Sequence, residues 1–450
     1  MKRKNVRGTC ALLCTIFWGC LFPAETVQAQ RALDVAREKG YQLEERYQPA
    51  ASIITEINTG QILWQENAQK QWPPASMTKL MTILLAYEEI NAGNLSLDSV
   101  AEVNQKYAEI AGRYALSNNK MQLGASYTVA ELMDLIIVPS SAAATYMLAD
   151  MVDPDPDKFV ERMNQKAQEL GMNNTKYFNC VGVTNNLLQP YQPLKQPLNG
   201  DNLTTPEDYA LLCTYLVNTY PDILNHTKYP EITVKAGTPY EEHFTSYQIS
   251  LEGAKYALEG TDGLKTGSSD TAGFNYSSTA KRGDTRLVEI VMGVSEWSDQ
   301  SGEEIRHLVG NAIMEQAFEQ FEYKKVLAKG VHTIDGKQVE VSEDLWDCVP
   351  KGKEVPLIIQ EDKVMADLER KYLPGFKAPA AACKQVVASE KKEQKGLPLF
   401  LKILFALAAV FVMLVGARIA YVAYHRKQRR KRREAQRRRR AKRRRELEEK

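Results

Sequence analysis

The pattern of hydrophobic and polar positions predicts strands at both ends of the central part of the chain and helices between them. Strand-like alternation, with turn residues inside each pair, occurs at residues 51–58 and 61–64 and again at 274–280 and 285–294. Apolar residues at helical spacing occur at residues 76–91, 129–151, 156–170 and 303–321. An antiparallel sheet packed against a cluster of helices, an α/β fold class, accounts for this order of elements.

Beyond the last helical pattern the chain changes character twice. Residues 323–389 contain short strand-like runs broken by glycine and proline, which predicts a small all-β domain. An uncharged apolar run follows, and Lys402 and Arg418 lie at its ends, where long side chains can reach the lipid headgroups. We therefore predict one transmembrane helix over residues 397–424, preceded by a lysine-rich linker at residues 390–396.

The N-terminus, residues 1–29, has the pattern of a secretory signal peptide. Four basic residues precede an apolar run that ends near Pro23, and compact residues at 27–29 suit cleavage by a signal peptidase. The mature chain is then expected to begin near Gln30, outside the cytoplasm. Residues 30–322 form its main domain.

The formal net charge of +2 conceals a strong division along the chain. The tail, residues 425–450, has sixteen Lys or Arg against four Glu, whereas the two exported domains together carry about −15. A basic cluster after an apolar span belongs on the cytoplasmic side by the positive-inside rule. We interpret the tail as a stop-transfer signal, with binding to anionic lipid or to a cytoplasmic polyanion as the alternative. The acidic exported part is not expected to bind nucleic acid.

Cysteine and histidine usage bears on the classes of site to expect. Four cysteines follow the signal peptide at long, irregular spacings, so we interpret them as buried thiols, although an exported protein can form disulfides. The sequence has no His-Glu-x-x-His arrangement and no glycine-rich phosphate loop. It therefore predicts neither a metal nor a cofactor. The four cysteines are Cys180, Cys213, Cys348 and Cys383.

One stretch combines a hydroxyl and a lysine at the start of an apolar helix. Pro73 and Pro74 are tolerated at a helix start but not in its interior, and the run after Lys79 is too apolar for a surface helix. Residues three apart share a helix face, so Ser76 and Lys79 are neighbours, and a buried lysine can lose its proton and act as a base. This is the arrangement of an activated serine nucleophile. A serine at this position is also an ordinary helix cap.

The Ser-x-x-Lys spacing alone is a weak signal. Average usage gives about two matches in a chain of this length, and the sequence has four. Only the first match opens an apolar helix, whereas the others lie in polar surroundings or in a strand-like run. The matches begin at Ser76, Ser117, Ser278 and Ser389.

Two further stretches carry cationic and hydroxyl side chains. Lys265 and Thr266, side by side, can hold a carboxylate, and Gly267 lets another segment come close. By pattern alone, however, a plain turn is favoured at residues 262–268. Ser140 offers a second hydroxyl at a helix boundary.

These motifs, in this order, resemble the signature of penicillin-binding proteins and serine β-lactamases. The flanking residues are most similar to the low-molecular-mass D-alanyl-D-alanine carboxypeptidases, over about residues 48–321 and more weakly into the β-rich domain and the anchor. The resemblance implies the transpeptidase-like fold of that family, with residues 30–322 as the catalytic domain. The motifs that carry it are Glu-Ile-Asn-Thr-Gly at 56–60, Pro-Ala-Ser-Met-Thr-Lys-Leu-Met-Thr at 74–82, Thr-Thr-Pro-Glu-Asp at 204–208, Asp-Gly-Leu-Lys-Thr-Gly at 262–267 and Ala-Gly-Phe-Asn at 272–275.

The resemblance implies an acyl-transfer reaction on peptidoglycan stem peptides, with β-lactam antibiotics as covalent inhibitors. It implies that Ser76 is the nucleophile, Lys79 the general base and Ser140 the proton relay to the departing D-alanine. The oxyanion would lie between the backbone N–H groups of Ser76 and Ser268. The implied substrate-binding residues are Lys265, Thr266, Gly267 and Ser268.

The chain departs from the family pattern at the middle motif. The family has Ser-x-Asn, and this chain has Ser140, Ser141 and Ala142. Alanine cannot bond to the substrate amide, and losing one such contact costs about 2–4 kcal/mol. We expect either a slower reaction or partial substitution by Ser141. No arginine that could assist carboxylate binding occurs at residues 295–304.

Three functions follow as hypotheses. The first is an active carboxypeptidase that trims pentapeptide stems. The second is a weak or inactive homologue that binds peptidoglycan or a protein partner, which the loss of the middle-motif asparagine favours. The third is a β-lactamase.

Overall fold

The computed structural model describes residues 30–386 and 398–448. The predicted signal peptide and the predicted linker lie outside the described residues. By its internal contacts the chain divides into two compact units, Met1–Gln385 and Val386–Lys450.

The described part of the chain contains both helices and strands, and its helices lie mostly between the first and the last strands of the central part. Its strands are β1 (Ala51–Glu56), β2 (Gln61–Glu66), β3 (Val100–Glu102), β4 (Ser126–Thr128), β5 (Glu231–Val234), β6 (Glu242–Thr245), β7 (Thr261–Ser269), β8 (Gly273–Arg282), β9 (Thr285–Val294), β10 (Phe321–Leu327), β11 (Gly330–Ile334), β12 (Lys337–Val341), β13 (Leu345–Pro350), β14 (Leu357–Gln360), β15 (Lys363–Ala366), β16 (Lys371–Tyr372) and β17 (Ala380–Gln385). Its helices are α1 (Ala32–Glu38), α2 (Lys79–Asn91), α3 (Gln105–Ala111), α4 (Val129–Ile137), α5 (Ala142–Val152), α6 (Pro156–Glu169), α7 (Pro206–Thr219), α8 (Leu224–Thr227), α9 (Gly302–Gln320) and α10 (Leu399–Glu448).

An antiparallel sheet of six strands forms the centre of the first unit, in the order β16-β2-β1-β9-β8-β7. Strand β1 pairs with β2 on one side and with β9 on the other, so the two predicted hairpins join into one sheet. The predicted antiparallel sheet with a helical cluster is confirmed.

Helices cover both faces of this sheet. Every residue of β1 is buried, and the side chains of Ile53 and Ile54 enter two different hydrophobic cores. Helices α1 and α9 pack over one core, whereas α2, α4, α5, α6 and α7 contribute to the other. Successive strand residues point to opposite faces, so a strand in the middle layer is buried on both faces, and in β1 this includes the polar residues Ser52, Thr55 and Glu56.

The single helical pattern predicted for residues 129–151 is in fact two helices. Helix α4 ends at Ile137, because Pro139 lacks the N–H that a continuing helix needs. Helix α5 begins after Ser141, whose hydroxyl accepts a hydrogen bond from the backbone N–H of Ala144 at 3.1 Å. Between the helices, Ser140 has a φ of +59°, in the left-handed region that non-glycine residues seldom occupy.

The plain turn favoured by pattern at residues 262–268 is wrong. These residues lie in β7, which pairs with β8 from Thr261 opposite Ala280 to Ser269 opposite Gly273. Glycine lowers the intrinsic preference for a strand, and pairing with a central strand overrides that preference here.

The C-terminal part of the first unit is rich in β-strands, as the pattern predicts. It contains a five-stranded sheet in the order β11-β12-β17-β15-β14 and a two-stranded sheet of β10 and β13. Strand β16 leaves this region and pairs with β2, with Lys371 opposite Ile62 and Tyr372 opposite Gln61. The two parts of the first unit therefore share a sheet.

A buried ion pair lies where these two parts meet. The Arg370 guanidinium donates to Asp347 Oδ1 at 2.7 Å, and the exposed fractions of the two side chains are 5% and 0%. The same nitrogen donates to Gln61 Oε1 at 3.1 Å and to the carbonyl of Cys348 at 3.2 Å. Arg370 thus connects β2 of the central sheet with β13 of the β-rich part.

The second unit contains helix α10, 50 residues long, which includes most of the predicted transmembrane segment and most of the basic tail. Among the described residues, it is the one helix long and apolar enough to cross a membrane. Its apolar and basic halves form one uninterrupted helix.

Cys180, Cys213, Cys348 and Cys383 are buried, and none forms a disulfide within residues 30–386, where all four lie. This agrees with the interpretation of these residues as small core side chains.

We predict that Arg370→Ala lowers the free energy of unfolding of the first unit by about 3–5 kcal/mol, because it leaves the Asp347 carboxylate buried without its partner. The measurement is the urea midpoint of tryptophan fluorescence in the full chain in detergent. The matched control is Arg46→Ala, which breaks the pairs that this exposed arginine makes with Glu44 and Asp299 and should cost about 1 kcal/mol or less. Equal losses in the two variants would contradict the prediction.

Candidate active site

Ser76 lies in a single 3₁₀ turn, Ala75–Thr78, that leads directly into α2. The predicted helix therefore begins three residues later than its pattern indicates, at Lys79. The Ser76 side chain is half-buried at the floor of a cleft, whereas Ala75, Met77 and Thr78 are buried.

Lys79 is the first residue of α2 and is buried, with an exposed fraction of 1%. Its Nζ donates to the Ser76 hydroxyl at 2.7 Å and lies 3.2 Å from the Ser140 hydroxyl. Burial lowers the pKa of Lys79 to about 7. An amine that is about half neutral near pH 7 can accept a proton from a hydroxyl at this distance.

Ser140 stands between two lysines. The corner between α4 and α5 presents its hydroxyl to Lys79 on one side and to Lys265 Nζ, at 3.1 Å, on the other. Lys265 Nζ also donates to the carbonyl of Thr266 at 3.0 Å. Burial, reinforced by the nearby cations of Lys79 and Arg306, lowers the pKa of Lys265 well below its ordinary value.

Strand β7 passes very close to the serine turn. A Cβ atom on Gly267 would lie 2.4 Å from the carbonyl oxygen of Pro74 and 2.9 Å from the N of Met77. Any side chain there would push β7 away from Ser76, so the position requires glycine. The sequence predicts that Gly267 lets another segment come close, and that segment is the turn that carries Ser76.

Three hydrogen bonds from distant segments fix this turn. Asn275 of β8 donates to the carbonyl of Pro73 at 2.8 Å, and the Tyr209 hydroxyl of α7 donates to the carbonyl of Met77 at 2.7 Å. The Asn202 amide donates to Thr78 Oγ1 at 2.9 Å. Because these donors are themselves buried, the position of Ser76 is set by the whole first unit and not by local sequence alone.

The structure places an arginine at the site that the sequence search does not reach. Arg306, in the second turn of α9, is fully buried and donates to the Ser268 hydroxyl at 2.8 Å and to the carbonyl of Asn275 at 3.1 Å. Its other terminal nitrogen, Nη2, has no hydrogen-bond partner in the part of the chain that the structure describes. The signal for it in the sequence is a basic residue at a buried position of the predicted helix 303–321, two residues beyond the range 295–304 in which no arginine occurs.

Two adjoining clefts give access to these groups. The inner cleft, about 200 Å³, is lined by Ser76, Ser140 and the Thr266–Ser268 edge of β7, with Tyr247, Trp297 and Glu303 among the residues at its wall. The outer cleft, about 470 Å³, is lined by Ser76, Lys79 and Ala142 and opens towards Tyr114 and Leu187. Both clefts include Ser117, Ser268 and Trp297.

All seven predicted site residues thus come together around one hydroxyl cluster. Hydrogen bonds join four of them directly, and the other three form the strand edge beside Ser76. The four are Ser76, Lys79, Ser140 and Lys265, and the three are Thr266, Gly267 and Ser268.

The expectation that Ser141 substitutes for the missing asparagine is wrong. Its side chain is fully buried, donates to Asn119 Oδ1 at 2.8 Å and caps α5. Ala142 lies at the first position of α5 and lines the outer cleft beside Ser76 and Lys79. The cleft therefore does contain the position at which the resemblance places an asparagine.

Comparison with known families and proteins agrees with this architecture. A family model for D-alanyl-D-alanine carboxypeptidase, peptidase S11, matches residues 40–296, and a model for a domain of unknown function, DUF1958, matches residues 323–384. Among curated proteins, D-alanyl-D-alanine carboxypeptidase DacF of Bacillus subtilis is 25% identical over 381 residues, covering 79% of this chain and 89% of that protein.

Solved structures with the same fold include two penicillin-binding proteins. A peptidoglycan synthesis regulatory factor, PBP3, from Streptococcus pneumoniae has a TM-score of 0.65 at 23% identity and covers 75% of this chain and 99% of its own. Penicillin-binding protein D2 from Listeria monocytogenes, in its cefotaxime-bound form, has a TM-score of 0.51 at 26% identity and covers 62% and 99%. With its family match over more than half of its length, the chain belongs to the D-alanyl-D-alanine carboxypeptidase family, the serine peptidases S11.

Proposed function

We propose that the chain removes the terminal D-alanine from peptidoglycan stem pentapeptides through an acyl-enzyme on Ser76. The observation that carries this proposal is the bonding of Lys79 to both Ser76 and Ser140, with Lys265 bonded to Ser140 from the other side. This arrangement provides a nucleophile, a base and a proton path in one buried cluster.

In the acylation step, Ser76 Oγ attacks the carbonyl carbon between the two terminal D-alanines, and its proton passes to the neutral amine of Lys79. The negative oxygen is stabilised by the backbone N–H groups of Ser76 and Ser268. The close approach of β7 to the serine turn, which Gly267 permits, supports this pairing of two N–H groups from different elements.

In the departure step, the amide C–N bond breaks and the leaving nitrogen takes a proton from the Ser140 hydroxyl, which Lys79 replenishes. Lys265 and Thr266 hold the carboxylate of the leaving D-alanine, and the Arg306 cation behind Ser268 adds a positive field. Water then attacks the ester on Ser76 with Lys79 as base and releases the shortened peptide.

The middle-motif departure affects the rate more than the reaction type. Ala142 removes a contact to the substrate, whereas the nucleophile, the base and the proton path do not involve its side chain. The family match supports the carboxypeptidase over the binding-protein and β-lactamase hypotheses. The cefotaxime complex of the Listeria monocytogenes protein supports β-lactams as inhibitors of this chain as well.

The membrane arrangement is part of the same proposal. Residues 1–29 are a cleaved signal peptide, residues 30–322 and 323–389 lie outside the membrane on the exported side, and residues 390–396 link them to a single span at 397–424. The basic residues 425–450 then lie in the cytoplasm, as the positive-inside rule requires. The length and apolar composition of α10 support one crossing.

We predict that the full-length protein, purified in detergent, forms a one-to-one covalent adduct with a fluorescent penicillin and that Ser76→Ala abolishes it. Intact mass measures the adduct. The matched control is Ser278→Ala, which changes another Ser-x-x-Lys serine, buried in β8, and should retain full labelling. An adduct in folded Ser76→Ala, or none in folded wild-type protein at high drug concentration, would overturn the proposed mechanism.

We predict that the acylation rate rises with pH across neutrality. With a pKa of about 7, about one-tenth of Lys79 is neutral at pH 6 and about nine-tenths at pH 8, so the rate should rise about tenfold per unit below pH 6 and level off above pH 8. Stopped-flow labelling between pH 5 and 9 measures the profile. A flat profile from pH 5.5 to 8 would exclude Lys79 as the titrating base.

We predict that an epitope tag placed after Lys450 survives trypsin treatment of intact spheroplasts and is lost once the membrane is permeabilised. The tail contains many Lys and Arg residues and would be cut rapidly if it were exported. Loss of the tag from intact spheroplasts, read by immunoblot, would reverse the proposed orientation.

A further inference from the structure

The missing asparagine of the middle motif leaves a definite gap in the outer cleft. Ala142 lines this cleft together with Ser76 and Lys79, so a ligand acylating Ser76 passes the Ala142 methyl group instead of an amide. The hydroxyl next to it in sequence, that of Ser141, is held by Asn119 and by the N-terminus of α5 and cannot turn to the ligand.

Ser117 offers an alternative hydroxyl, because its backbone bonds to Ala142 from a different segment of the chain. Its carbonyl oxygen accepts the backbone N–H of Ala142 at 2.9 Å. It is exposed, and it lines both the inner cleft with Ser76 and Ser140 and the outer cleft with Lys79 and Ala142. No other polar residue lining both clefts in the described part of the chain makes a backbone hydrogen bond to Ala142.

The segment that carries Ser117 is held in place by its next two residues. Asn118 accepts the N–H of Ala143 at 2.9 Å and donates to the carbonyl of Ile110 at 2.9 Å. Asn119 bonds to Ser141 and donates to Glu242 at 3.1 Å. The segment is therefore fastened to the start of α5 by both asparagines, so the backbone of Ser117 is held beside Ala142 before a ligand binds.

We propose that Ser117 is a substrate-binding residue whose hydroxyl bonds to the amide group on the acyl side of the scissile bond, in the place left by Ala142. A hydroxyl both donates and accepts, so it can bond to either polar atom of a peptide amide. This inference rests on the proposed function, since it requires a peptide or β-lactam to acylate Ser76. It also assigns a function to Ser117 as the first residue of the second Ser-x-x-Lys match in the sequence.

A double-mutant cycle tests whether the Ser117 hydroxyl replaces the contact that an asparagine at position 142 would make with the ligand. Its four proteins are full-length wild type, Ser117→Ala, Ala142→Asn and the double variant, each in detergent, and the measurement is the second-order rate of acylation by benzylpenicillin. We expect Ser117→Ala to lower this rate about tenfold in the wild type, the effect of one hydrogen bond. In the Ala142→Asn background, where the amide contact is restored, the same change should cost less than about threefold. Equal losses in both backgrounds, or no loss in the wild type, would overturn the proposal.

A matched ligand separates substrate binding from a structural role. The probe 6-aminopenicillanic acid has the β-lactam ring and carboxylate of benzylpenicillin but lacks the side-chain amide. Ser117→Ala should slow acylation by benzylpenicillin and leave that by 6-aminopenicillanic acid within about twofold. An equal loss with both ligands would mean that Ser117 acts through the shape of the cleft, which contradicts the proposal.

Two further outcomes are informative. Ser117→Thr keeps the hydroxyl and should retain most of the wild-type rate with benzylpenicillin, so a loss equal to that of Ser117→Ala would also overturn the proposal. Absence of any adduct in all four folded proteins would instead refute the function on which the inference rests. The Ser76→Ala protein, which lacks the nucleophile, gives the background level of acylation for each ligand.

Discussion

The site depends on one physical constraint, the burial of the Lys79 amine without a carboxylate beside it. Its hydrogen-bond partners are hydroxyls, those of Ser76 and Ser140, so within residues 30–386 and 398–448 no carboxylate bonded to the amine compensates a full positive charge. An ion pair at this position would keep the amine protonated and remove the base. The apolar surroundings of α2, in which Leu80, Met81, Ile83 and Leu84 are fully buried, therefore set the chemistry as well as the packing.

A neutral lysine is useful only if the serine stays within hydrogen-bond distance, and the fold ensures this from several directions. Gly267 allows β7 to approach the serine turn on one side, and a Cβ on Gly182 would lie 1.8 Å from the carbonyl of Ala75 on another. Together with the bonds from Tyr209 and Asn275, these contacts leave the turn little freedom. The central sheet and the helical cluster thus fix the position of the four residues of the serine turn, Ala75–Thr78.

The sequence predicts the contacts between residues that are close along the chain well and the contacts between residues that are far apart poorly. Ser76 and Lys79 are three residues apart, so helix geometry alone makes them neighbours, whereas Lys265 and Ser140 meet only through tertiary packing that no spacing rule describes. Helix α7 has no clear helical period because ten of its fourteen residues are buried, and the two residues of β16 carry no pattern at all. The family motifs fill part of this gap, but Arg306 lies outside them and reaches Ser268 only because α9 packs against β8 and β9.

Electrostatics also explains why this site should select a ligand with a carboxylate. Burial and the neighbouring cations disfavour a charge on Lys265 in the free protein, and a ligand carboxylate at the Lys-Thr-Gly edge would supply the missing counter-charge and so favour uptake of a proton from solvent by Lys265. A charged Lys265 would then repel a proton on Lys79 across the Ser140 hydroxyl, because the influence of one titrating group on another is mutual. Binding of the ligand would thereby favour the neutral form of the base at the moment when Ser76 must be deprotonated. The same coupling would leave a ligand without a carboxylate poorly held and poorly activated, so recognition and reactivity depend on a single pair of lysines.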